Sequence, residues 1–175
     1  MDRYQLGKLI QWAETLRSRK RMQKATHLLQ AAGCPFEADF FLHHYGPYSR
    51  DVAGLCDEMV AARLLDETET SNQFGREYAY KLTAEAEKLF AATEGDPRFA
   101  ERASQMKRFE DLARELLGTD LFELEVASTI AYFQHRQKDW EQAVTKACQF
   151  KKLDRGNQHV HRAESLARKA LGLAT

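Results

Sequence analysis

A mainly α-helical chain carrying one small β-hairpin is predicted by three observations. Apolar residues recur at helical spacing through most of the 175 residues. The stretch around residues 64–82 reads instead as two short strands about a polar turn. Ahead of it, His44-Tyr45-Gly46-Pro47-Tyr48-Ser49 feeds a rigid turn into a capped helix, and Tyr80-Lys81-Leu82-Thr83 leads into another helix. That order is the order of a winged helix-turn-helix. The expected arrangement is a winged core over residues 4–93, followed by a helical extension over 97–173 that serves packing or dimerisation.

Each element follows from its residues. Leu6, Leu9, Ile10, Ala13 and Leu16 share a face and predict a helix over 4–17. The basic run Arg17-Ser18-Arg19-Lys20-Arg21 interrupts it. Met22, Ala25, Leu28, Leu29 and Ala32 predict a second helix, closed by Gly33 with Pro35 beyond. Residues 36–45 are rich in aromatics and suit either a short third helix or an extended segment. Gly46-Pro47 reads as a turn with Pro47 at its first central position. Ser49 is placed to cap the next helix, on which Val52, Leu55, Cys56, Met59 and Ala62 should face inward. Strands are expected over 64–69 and 77–82, around a polar turn at 70–75, and Thr83 should cap a helix over 84–92.

Gly95-Asp96-Pro97 ends one helix and starts another. Phe99, Ala103, Met106, Ala113 and Leu117 define one long helix ended by Gly118. Asp120 caps a helix over 121–135 whose Leu121, Leu124, Val126, Ala127, Ile130, Ala131 and Phe133 surround much of its circumference, so it should be central and buried. Trp140, Ala143, Val144, Ala147 and Cys148 mark the next helix. Val160, Ala163, Leu166, Ala167, Ala170 and Leu171 mark the last, after Gly156-Asn157.

Composition narrows the function. Hydrophobic residues make up 43% and charged residues 30% of the chain, as in an ordinary soluble globular protein. No apolar run is long enough for a transmembrane helix, and Met1-Asp2-Arg3-Tyr4 moves into an amphipathic pattern without the apolar stretch of a leader. Cys34, Cys56 and Cys148 form neither a disulfide framework nor a zinc signature, so reduced thiols in a cytoplasmic protein are expected. Twenty-six Lys and Arg balance twenty-six Asp and Glu. Phosphate neutralisation supplies much of the affinity for DNA, so a neutral chain must rely on a local patch.

Arg17, Arg19, Lys20, Arg21 and Lys24 are the candidates for that patch, as phosphate contacts that position rather than specify. A solvated inter-helix turn is the competing reading. Helical phase turns Arg50, Asp51, Gly54, Asp57, Glu58, Ala61 and Arg63 outward on the expected recognition helix. Base edges in the major groove favour Arg, Lys, Asn and Gln, which leaves Arg50 as the obvious reader. The carboxylates would repel flanking phosphates, and Asp57 and Glu58 suit a protein partner instead. His43 and His44 are adjacent and point apart, His159 and His161 converge only in an extended segment, and no Cys or carboxylate completes a ligand set. Glu37 and Asp39 have no support as a catalytic pair. Tyr45, Tyr48, Phe40 and Phe41 are expected to be buried rather than to form an exposed contact surface. With no nucleophile-elbow, phosphate-loop or metalloprotease motif, no catalytic residue, cofactor or metal is expected.

With these residues in view, the chain resembles the uncharacterised bacterial YwgA-like proteins and, more distantly, the Panacea antitoxin domain. The resemblance is carried by Met22-Gln23-Lys24 with the apolar run to Leu29, by His44-Tyr45-Gly46-Pro47-Tyr48-Ser49, and by Ala62-Arg63-Leu64-Leu65. It continues in Glu125-Val126-Ala127-Ser128-Thr129-Ile130 and in Trp140 with Ala143-Val144. It implies a non-enzymatic winged-helix core with helices packed around it, and a toxin protein as partner in the antitoxin-type relatives. Tyr48-Ser49 departs from the Gly-Pro-Val form usual in that domain. The expected function is therefore a DNA-binding regulatory module that forms a homodimer, with a protein-interaction module of antitoxin or adaptor type as the alternative.

Overall fold

The computed structural model describes residues 1–72 and 75–173 of the chain. Helix α1 (Arg3–Ala13) starts from a reciprocal cap, in which the Asp2 carboxylate accepts from the Gln5 N–H and the Gln5 side chain accepts from the Asp2 N–H. It ends at Ala13 and does not run to residue 17. Glu14 turns the chain at φ 56°, and β1 (Leu16–Arg17) pairs antiparallel with Tyr80 and Ala79. The backbone of Leu16-Arg17 completes the edge of the wing sheet while the Leu16 side chain still enters the core. Its place on an apolar stripe therefore marked burial but not conformation.

Helix α2 (Arg19–Ala31) is capped by Ser18, whose hydroxyl accepts from the Lys20 N–H. Arg17 thus lies on β1 and Arg19 to Lys24 open α2, so the basic segment is not a solvated turn. After Gly33 the chain is irregular, and the extended alternative holds for part of residues 36–45. Strands β2 (Phe41–His43) and β3 (Gly46–Tyr48) form a hairpin with Phe41 opposite Tyr48 and His43 opposite Gly46. The turn is made by His44 and Tyr45, three residues earlier than expected. Gly46 leaves it at φ +91°, so the Gly-Pro pair begins the returning strand.

Ser49 caps α3 (Arg50–Ala61) by accepting from the Val52 N–H, and Val52, Cys56 and Met59 are buried beneath it. Ala62, expected inward, is exposed just past the last turn. Strands β4 (Leu65–Asn72) and β5 (Gly75–Leu82) form the wing, and the three-stranded sheet runs β1-β5-β4. Both strands reach further than expected, taking in Thr70, Ser71, Asn72 and Gly75. Gln73 and Phe74 of the expected turn lie outside the described residues. Residues 66–71 of the ribbon are polar and exposed, with no apolar alternation to mark its length.

Thr83 caps α4 (Ala84–Glu94), and a short 3-10 turn follows Gly95-Asp96. The expected long helix is two, α5 (Ala100–Lys107) and α6 (Glu110–Gly118), bent at Arg108-Phe109. The two halves serve different neighbours. Met106 on α5 reaches Cys34, whereas the end of α6 lies against α2, where Arg21 donates to the carbonyls of Leu117 and Thr119. Helices α7 (Leu121–Gln137), α8 (Trp140–Lys151) and α9 (Gln158–Ala170) complete the chain.

The architecture is mainly α and winged-helix-like. Its buried residues form one cluster that runs from α1 through α9, across the Gly95-Pro97 boundary. Helix α7 lies against α2, β3, α8 and α9. Leu124, Val126, Ala127 and Ile130 are fully buried. This chain covers α7 itself, so the apolar girdle does not call for a second copy. Light scattering at micromolar concentration should give a monomer mass; a dimer mass would show that another face pairs.

Candidate functional site

Consecutive helical residues point about 100° apart, and that geometry disperses the expected cationic patch. Arg19 turns to the wing, where its guanidinium donates to Glu67 (2.9 Å) and to the Tyr80 hydroxyl (2.5 Å) and pairs with Asp57 of α3 (2.8 Å). Arg21 turns the other way, onto the end of α6. Lys20 lies 3.9 Å from the Tyr45 ring centroid and 3.4 Å from Glu125. Lys24 is only 2% exposed, so it is no phosphate contact in this conformation. Arg17 is exposed on the sheet edge, and Arg50 is exposed on the first turn of α3 with its guanidinium over Phe41. The sequence carried no sign of the acidic partners, which come from β4, α3 and α7.

All seven residues expected outward on α3 are exposed. Asp57 pairs with Arg19 and Glu58 with Arg3, both as surface ion pairs. On the wing, Asp66, Glu67 and Glu69 of β4 are exposed, and β5 adds Glu77 with the cations Arg76, which pairs with Glu69, and Lys81. The recognition face and the described wing thus carry more carboxylates than cations. Phe41 is 40% and Tyr45 53% exposed, so part of the aromatic group faces solvent instead of lying under α3.

The densest constellation lies where α2, the β2–β3 hairpin and α7 meet. Gln23 is buried and holds Ser49 at both ends: its amide N–H donates to the Ser49 carbonyl (2.9 Å), and its oxygen accepts from the Ser49 N–H (2.8 Å). The Lys24 ammonium donates to the Pro47 carbonyl (2.6 Å). A Cβ at Gly46 would stand 2.6 Å from Thr129 Oγ1 on α7. One turn away on α7, the buried Glu125 carboxylate pairs with Lys151 of α8 (2.9 Å) as well as with Lys20. Burial pushes the Lys24 pKa down to about 8, with Lys151 and Lys20 adding to the shift and Glu125 opposing it. Burial, reinforced by Lys24, likewise pushes His27 down to about 3, and this neutral ring shares a hydrogen bond with Ser128 (3.1 Å).

The remaining candidates separate. His43 and His44 are both exposed at the hairpin, and Glu37 and Asp39 are exposed ahead of it, where the Asp39 N–H donates to Asp51. His159 and His161 lie on α9 and do not converge. The structure does bring carboxylates to His159, against expectation: ligand atoms of Asp120, Glu123 and His159 lie within 4.8 Å of one another. All three have partners. Asp120 caps α7, and one Glu123 oxygen meets both His159 Nδ1 (2.9 Å) and the Arg162 guanidinium (3.2 Å), a fixed cation that opposes a metal. Cys34, Cys56 and Cys148 are buried free thiols. Among the described residues no helix is long and apolar enough to cross a membrane. No protein-family model matches the chain, and no curated protein matches it.

Two outcomes follow from the junction. Gly46→Ala combines a left-handed backbone with a clash and should cost about 2–4 kcal/mol. Thermal melts should show Tm falling by roughly 5–15 °C, and adding Thr129→Ala should restore only the steric share. Lys24 sheds its proton in the folded state near pH 8 but keeps it to about 10.5 when unfolded. The unfolded chain binds more protons in that window, so stability should rise with pH across it. The gap in Tm between wild type and Lys24→Met should therefore widen in favour of wild type from pH 7 to pH 10; a constant gap would refute the buried-lysine account.

Proposed function

We propose that this chain is a non-enzymatic protein-interaction module built on a winged-helix frame. The observation that carries the reading is the charge of its exposed recognition face: Asp51, Asp57 and Glu58 stand on α3, and Asp66, Glu67 and Glu69 on the wing. Meanwhile Arg19, Arg21 and Lys24 are engaged within the fold. Phosphates flanking a DNA groove would meet that face with repulsion, whereas a basic protein surface would meet it with attraction. The resemblance to the Panacea antitoxin domain points the same way, since its antitoxin-type relatives engage a toxin protein. The second reading, a DNA-binding regulator, is favoured by Arg50, exposed at the start of α3, with Arg17 and Lys20 as backbone contacts.

Fluorescence anisotropy with genomic DNA fragments separates the two. At roughly 50 mM salt the protein-partner reading expects no saturable binding. Steeply salt-dependent binding, weakened by Arg50→Ala, would instead install the DNA reading. Reversing Asp57 and Glu58 together to Lys should leave the fold intact, because exposed ion pairs contribute only about 0–1 kcal/mol each. The same change should abolish stoichiometric co-purification of a partner. Retained capture by the reversed protein would place the contact elsewhere.

A further inference from the structure

A cavity of about 160 Å³ opens between α2, α3 and the β2–β3 hairpin. Met22, Ala53 and Cys56 give it apolar walls, Tyr45 and Tyr48 give it aromatic ones, and Lys20 and Lys24 bring positive charge. We propose that it binds a small planar carboxylate, of the class of a single-ring aromatic acid. Size sets the first limit. A cavity of roughly 150 Å³ accommodates a benzene-sized molecule, so one ring fits and a nucleotide or peptide does not.

Chemistry sets the rest. Lys24 is 2% exposed, and no carboxylate of the described residues lies within the 4.0 Å of an ion pair. Of its three N–H donors, one goes to the Pro47 carbonyl. Lys20, at the rim, rests on the Tyr45 face and reaches Glu125 at a long 3.4 Å. Lys20 and Lys151 pair with the buried carboxylate of Glu125 and Lys24 lies near it without pairing, so the junction retains positive charge that an anion would neutralise. A buried, incompletely compensated cation beside an apolar, ring-sized space is the complement of a benzoate-like molecule. The Cys56 thiol is held neutral, burial pushing its pKa up to about 11, and serves as wall and not as nucleophile.

The site adjoins the buried side of α3, whose opposite side is the face assigned above to a partner. It does not depend on which macromolecule that face engages. A ligand that binds only the folded arrangement stabilises the hairpin and α3 together by mass action.

Calorimetry and thermal melts with benzoate test the site, using benzamide as the uncharged counterpart of the same shape. Benzoate should bind one per chain with a dissociation constant on the order of 0.1–1 mM and raise Tm. Benzamide should bind at least about tenfold more weakly, the loss of one charge-assisted contact. Lys20→Ala should weaken benzoate several-fold, and Ala53→Leu, which fills the cavity with a good helix former, should abolish binding while the chain still melts cooperatively. Circular dichroism confirms that both variants are folded. No saturable binding by about 10 mM benzoate, equal binding of benzamide, or binding that survives Ala53→Leu in the folded variant would each overturn the assignment.

Discussion

The grip of the Gln23 side chain on the backbone of Ser49 is the contact on which the winged half depends. A primary amide can donate and accept at once, and here it satisfies both backbone polar groups of one buried residue. Each such bond adds only about 1 kcal/mol net, but leaving a buried group unpaired costs about 1–3 kcal/mol. Ser49 in turn caps α3, so one side chain on α2 sets where the recognition helix begins. The next residue, Lys24, fixes Pro47, and Thr129 closes over Gly46. Glutamate at position 23 would keep the acceptor and lose the donor.

Electrostatics divides the chain into an inside and an outside of different character. Arg19 joins α2 to the wing and to α3 through Glu67, Tyr80 and Asp57. Arg21 satisfies carbonyls at the end of α6, where the helix dipole favours a cation. Net neutrality conceals this arrangement: Arg19, Arg21 and Lys24 are engaged at joints between elements, while Asp51, Glu58, Asp66 and Glu69 stand exposed on the recognition face and wing. A cluster of cations in sequence became a set of separate tethers because a helix distributes neighbours around its axis.

Local signals were legible. Ser49, Thr83 and Asp120 cap the helices their positions implied, and the central burial of α7 followed from its apolar circumference. What escaped were features set by distant partners. Leu16 fits a helical stripe, yet the open edge of β5 draws it into a strand. Arg108-Phe109 contains no breaker, and the bend there answers two neighbours far away in sequence. At the junction, Gln23, Gly46, Ser49 and Thr129 were all visible as residues. Their convergence was not, because it brings Thr129 onto Gly46 from far along the chain, and a separation of 36 residues hid the meeting of Glu123 with His159.

That distance also bears on how the chain folds. The side of α2 that carries Lys24 and His27 becomes an interior only when α7 lies on it. During synthesis the first 95 residues emerge well before residues 121–137. Until then the winged half presents an unsealed seam, and the loop to be closed is long. The nascent domain must wait for its own later helix, a period in which the bare α2 face is open to chaperones or to misassembly.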